Sequence, residues 1–171
     1  MSYWVSVRVI GIFLFLIMAF FFVLTWDPIL QVVDIGAGLA ELSAWMSYGV
    51  LKVIGWAGGF PVNKMGTIMS SGGFEVDIAP ACSGAVPTSI YLAAVYAYPT
   101  SWRARWIGTA IGIGVIQAVN VVRVCALFLI GLYFHQLFHE THVYVAQALV
   151  VCVAVALWLY WATRFADAPA H

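Results

Sequence analysis

The sequence predicts an all-α integral membrane protein folded as a single domain over residues 1–171, and two observations predict it. Of the 171 residues, 64% are hydrophobic and only 8% charged, where a soluble domain carries roughly 45–50% apolar and about 25% charged residues. The apolar residues also gather into runs near the length of about 20 that a helix needs to cross a hydrocarbon core of about 30 Å. Seven Lys and Arg balance seven Asp and Glu. No basic surface is available to neutralise phosphates, so nucleic-acid binding lacks its electrostatic basis.

The first expected span covers 8–26, through I-G-I-F-L-F-L-I-M-A-F-F-F-V-L. It is long for a signal-peptide core, and the following T-W-D-P-I-L offers no small-residue cleavage site, so it reads as an uncleaved anchor. Residues 36–57 come next. On a helix, Leu39, Leu42, Met46, Val50 and Val53 recur at three- and four-residue spacing, while Glu41, Tyr48 and Lys52 share another face. This is the pattern of an amphipathic helix lying on the outer leaflet; the alternative is a fifth span with the N-terminus outside. Within 64–79, T-I-M-S-S-G-G-F-E-V-D-I alternates on both sides of Gly72 and Gly73, which predicts a small extracytoplasmic β-hairpin. Three further spans are expected over 82–100, 105–133 and 142–163. Pro87, near the start of the first of these, is tolerated in a helix's opening turn. The tail A-D-A-P-A-H is expected to fray.

Arg103 and Arg105 lie in the tight connection S-W-R-A-R-W, and Arg164 follows the last span. Positive-inside bias places these points in the cytoplasm. Cys82 and the turn from His135 to His142 are then outside.

In so apolar a chain the polar positions are the informative ones, because an ionisable side chain at mid-bilayer costs about 2.5–3.5 kcal/mol even on permissive scales. Arg123 follows Arg105 by eighteen residues, which is about 27 Å of helix and puts it near the outer interface. Asn120 and Gln117 precede it at three-residue steps, forming a polar stripe. Such a stripe bonds neighbouring helices or builds a site, and an arginine at that depth can equally snorkel to headgroups. Cys82 stands in P-A-C-S-G-A-V-P at the opening of its span, where helix N-terminal N–H groups are expected to lower a thiol's pKa. Cys125 and Cys152 sit inside apolar helices and read as small hydrophobes. His135, His139 and His142 cluster in F-H-Q-L-F-H-E-T-H-V-Y. Their spacing could offer imidazoles to a metal, but no carboxylate or thiol completes a set without help from elsewhere, and imidazoles also mark a wet interface. His142 differs in opening the last span at the level of Cys82 and Arg123.

Three helices thereby deliver a thiol, an imidazole and a guanidinium to one membrane face. Acyl transfer needs such a set: a thiolate to attack a carbonyl, an acid for the departing amine, and a fixed cation for the oxyanion. Two other classes compete. One is a non-catalytic assembly or transport subunit in which Arg123 pairs with a partner's acid, and the other is a histidine-ligated metal protein.

A-C-S-G at 81–84, N-V-V-R-V at 120–124 and His142 together resemble the exosortase and archaeosortase family of membrane cysteine transpeptidases. The resemblance covers roughly residues 60–163, and H-V-Y-V-A-Q-A-L followed by W-L-Y-W is most similar to the compact exosortase H branch. Many members carry Gly four residues after the histidine, where this chain has Ala146. The resemblance implies Cys82, Arg123 and His142 as catalytic residues, with Asn120, Ser83 and Gly84 binding or orienting substrate. It implies a bacterial cytoplasmic membrane location with the site on the extracytoplasmic face. The implied partners are the C-terminal sorting-signal helix of secreted proteins, of the I-P-T-L-x-x-W type, and a surface glycan or lipid acceptor. No cofactor or metal is expected.

Overall fold

The computed structural model describes residues 3–25, 35–138, 142 and 145–166. Among the described residues there are five α-helices: α1 Tyr3–Thr25, α2 Ile35–Gly58, α3 Ala85–Ala97, α4 Trp102–Tyr133 and α5 Ala146–Arg164. Between α2 and α3 lie strands β1 Asn63–Met65, β2 Ile68–Ser71 and β3 Phe74–Asp77, then a 3-10 turn at Pro80–Cys82. A second 3-10 turn, His135–Leu137, follows α4.

Among the described residues, α4 and α5 are long and apolar enough to cross a membrane, whereas Val7–Val23 and Ala85–Ala97 are shorter apolar helices. Trp26, at the end of the first expected span, lies outside the described residues. Helix α3 is shorter than the expected 82–100 because Gly84 breaks it at one end, at φ +78°, and Pro99 follows it at the other.

The chain divides into two compact units, residues 1–34, 86–116 and 152–171 in one, and 35–85 and 117–151 in the other. In the first, small residues let aromatic rings approach backbone. A Cβ at Gly112 would overlap the Tyr91 ring, and one at Gly108 would meet the Trp161 indole. Tyr91 Oη donates to Gly108 O at 3.0 Å and Trp161 Nε1 to Ala104 O at 2.9 Å. Gly108 and Gly112 are four apart, the spacing that opens one helix face to close packing.

In the second unit the core joins Ala40, Ala44 and Leu51 of α2 to Val121, Val124, Cys125 and Phe128 of α4, with Met69 and Ile78 from the strand region. The buried face of α2 is the line Ala40, Ser43, Ala44, Ser47 and Leu51, while Leu42, Met46, Val50 and Val53 of the apolar stripe are exposed. The amphipathic reading named two faces, and the one that packs against protein is a third, made of small residues. Asn120 Nδ2 approaches Ser43 Oγ at 3.5 Å and Cys125 Sγ donates to Ser47 O at 3.7 Å. The contacts advance in the same sense on both helices, so α2 runs parallel to this part of α4.

The expected hairpin is present as β2 and β3, closed by Gly72 and Gly73 with φ of +57° and +86°, the two positive values a type I′ turn requires. A third strand, β1, pairs antiparallel with β2 across Gly66 and Thr67, so the element has three strands where two were expected. Its inner face lays Phe74 against Phe128, with ring centroids 5.8 Å apart, over Gly131, where a Cβ would collide with that ring.

Candidate active site

The site lies in the second unit and begins with the turn that carries Cys82. Ile78 is buried and its N–H donates to Thr67 O at 3.2 Å, anchoring the end of the sheet. Pro80 then opens the 3-10 turn, where its missing N–H costs nothing. Cys82 N–H donates to Ala79 O at 2.8 Å and Ser83 N–H to Pro80 O at 3.1 Å. The Ser83 hydroxyl also donates to Pro80 O, at 2.6 Å, and accepts the Ala85 N–H at 3.2 Å. Gly84 follows in the left-handed region, where a Cβ would come within 3.2 Å of Gln117 and 3.3 Å of Asn120. A side chain there would be strained by its φ and would press on Asn120.

Two elements hold this turn from outside. Asn120 Nδ2 donates to Cys82 O at 3.0 Å, and Ser43 Oγ donates to Ser83 O at 3.2 Å. Cys82 is thus not the first residue of a spanning helix, as expected from sequence, but stands three residues before α3 in a separately braced turn.

Sγ of Cys82 lies 3.7 Å from Nε2 of His142, across 60 residues of sequence. The contact serves a thiol donating to the imidazole or an imidazolium donating to a thiolate, according to where the proton sits. Phe138 stacks on the His142 ring at 5.8 Å between centroids, which limits the ring's tilt. Arg123, one helical turn beyond Asn120, is only 6% exposed. Its side chain therefore turns into the protein and does not snorkel. The guanidinium lowers the energy of a Cys82 thiolate, but burial is the larger effect and pushes the thiol above its ordinary pKa. The expected depression by a helix N-terminus is not found: Ser83 and Gly84 separate Cys82 from α3, and the Cys82 and Ser83 N–H groups are bonded within the turn. Among the described residues, Arg123 Nε has no hydrogen-bond partner.

The structure thus brings Cys82 and His142 into contact, places the Arg123 charge where it acts electrostatically on the sulfur, and joins Asn120, Ser83 and Gly84 to the same turn. Cys125 is buried against Ser47 O and Cys152 is exposed on α5. His135 is ring-packed on Phe74 at 5.9 Å, and His139 lies outside the described residues. No three His, Cys, Asp or Glu side chains among the described residues come together as a metal-binding group.

The model of the transmembrane exosortase family, of the EpsH type, matches residues 2–161. The chain belongs to that family. The match extends over α1 and α2 as well as the three motif-bearing segments, so the exosortase architecture here includes the helix that supplies Ser43. No curated protein and no solved structure matches the chain. Ser43 is the site residue that motif reading misses. Its signal was the run of small residues at helical spacing, Ala40, Ser43, Ala44 and Ser47, which in a membrane protein marks a packing face.

Proposed function

We propose that this exosortase is a membrane cysteine protease and transpeptidase that acts on C-terminal sorting signals of secreted proteins. The observation that carries the reading is the 3.7 Å approach of Cys82 Sγ to His142 Nε2 beside a buried arginine. His142 accepts the thiol proton as Sγ attacks the scissile carbonyl, forming the C–S bond. The oxyanion needs a donor, and the N–H groups of Cys82 and Ser83 are both committed to carbonyls inside their own turn. That role falls to the Arg123 guanidinium, whose planar fork suits a developing oxyanion. His142 then returns its proton to the departing amine as the C–N bond breaks, leaving a thioester on Cys82. An acceptor amine or hydroxyl, on a surface glycan or lipid, or water, attacks that thioester and restores the thiol.

The substrate in this reading carries a short recognition motif, a membrane helix and a basic cytoplasmic end, with I-P-T-L-x-x-W as the motif of the compact branch. The location is the bacterial cytoplasmic membrane with the turn of Cys82 on the extracytoplasmic side, where a membrane-anchored substrate reaches the sulfur by lateral diffusion at raised effective concentration. Co-expression with a tagged substrate tests it. Cys82→Ala should leave the substrate unprocessed, and full processing by that variant would refute the proposal.

A further inference from the structure

We infer that Ser43 is a positioning residue for the nucleophile, its hydroxyl fixing the main chain that leaves Cys82. The inference rests on the reading of Cys82 as the nucleophile and adds a residue from α2, outside the motifs that carry the chemistry.

The turn holds its own N–H groups, but the carbonyls of Cys82 and Ser83 point out of it. Both precede Gly84, which has no Cβ and populates more backbone conformations than any other residue. A turn that leads into such a swivel keeps one geometry only if something outside holds it. Asn120 takes the first carbonyl from α4 and Ser43 takes the second from α2. The holders also face each other, Asn120 Nδ2 lying 3.5 Å from Ser43 Oγ, so a chain of donors runs from amide to hydroxyl to carbonyl. Ser43 is 2% exposed, and Asn120 and Ser83 are fully buried. No bulk water can replace the serine. Helix α2 is anchored in turn through Ala40, Ala44 and Leu51, which share one buried core with residues of α4 and the strands, so Ser43 is a fixed brace and Cys82 Sγ keeps its distance to His142.

A displaced nucleophile loses rate, and a misplacement near 1 Å costs on the order of 100-fold. Ser43→Ala should therefore lower kcat by about 10- to 100-fold with KM less affected, because the 2% exposed side chain bonds the cysteine turn. Ser43→Thr, which keeps the hydroxyl, should recover most of that loss. A second readout needs no substrate. In a Cys125→Ala, Cys152→Ala background, the pH dependence of iodoacetamide alkylation reports on Cys82 alone. Freed from its brace, the sulfur gains water, and its apparent pKa should fall toward that of an ordinary thiol in Ser43→Ala but not in Ser43→Thr. Unchanged kcat and an unchanged alkylation profile in Ser43→Ala would overturn the inference. So would a lowered melting temperature with lost activity and an unaltered alkylation profile, since that is the mark of a merely structural serine. Cys82→Ala run alongside separates the two claims. Processing by that variant would sink the enzymatic reading, while the alkylation profile still decides whether Ser43 holds the cysteine turn.

Discussion

The two units of the molecule differ in the polar contacts they bury. In the unit containing α3, the prominent buried polar contacts run from an aromatic ring to backbone, Tyr91 to Gly108 O and Trp161 to Ala104 O, at glycine-lined helix faces. In the unit containing α2, they run among short polar side chains and the carbonyls of one turn, through Ser43, Asn120 and Ser83. Here charge is buried too, and Asn120 Oδ1, Ser47 Oγ and Arg123 Nε have no partner among the described residues. The first arrangement uses its bonded polar atoms to join helices, although Thr88 Oγ1, Arg105 Nε and Trp158 Nε1 there also have no partner among the described residues. The second leaves polar capacity unspent beside a thiol, which is costly for stability and useful for binding charge that develops during a reaction.

Substitutions should sort by unit, and the sharpest contrast comes from the cysteines. Cys82→Ala should abolish processing, whereas Cys152→Ala, on an exposed face of α5, should leave it unchanged in the same co-expression assay. Next in size is Arg123. Arg123→Ala should lower kcat/KM by about 100- to 1,000-fold, the range for loss of one oxyanion donor. It should also move the acidic limb of the pH–rate profile upward. The sign follows from charge: burial already holds the Cys82 thiol high and Arg123 opposes burial, so removing the cation makes the thiolate harder to form. Arg123→Lys should keep the limb near its original pH because the charge remains, yet stay strongly impaired because the fork is lost. The limb belongs to the cysteine–histidine pair and not to one group.

Smaller effects should fall on stability. Gly112→Leu drives a side chain into the Tyr91 ring and should destabilise by about 1–3 kcal/mol, as overpacking does, read as a lowered melting temperature in detergent. Tyr91→Phe removes one buried hydrogen bond and should cost about 0.5–1.5 kcal/mol. In both, processing per folded molecule should be retained. A large rate loss in either, without unfolding, would erase the distinction between the units.

What was legible in the sequence follows the same division. Cys82, Arg123 and His142 stood out because reactive or charged groups in an apolar chain are rare and expensive, and charge sidedness and helix rise set their expected levels. The β2–β3 turn was readable from Gly72 and Gly73 between alternating runs. Ser43 was not, since a serine costs little in a helix and nothing local tells a packing serine from one that braces a nucleophile. The buried face of α2 was hidden for a related reason. Hydrophobic periodicity finds the greasiest stripe, which in lipid is free to face outward, while close helix contact selects the small residues. Strand β1, three residues long, is too short to show alternation. The start of α3 at Ala85 depends on Gly84 and on hydrogen bonds within the turn, and the raised affinity of Cys82 for its proton depends on burial, none of which a spacing rule reports.

The central claim is that Cys82 carries the acyl group, and mass spectrometry of the enzyme trapped with substrate in the absence of acceptor tests it most directly. The account predicts a thioester-linked substrate fragment on the peptide bearing Cys82, removed by hydroxylamine and missing from Cys82→Ala. Substrate turnover with that peptide unmodified, or an adduct on Cys125 or Cys152 instead, would contradict it.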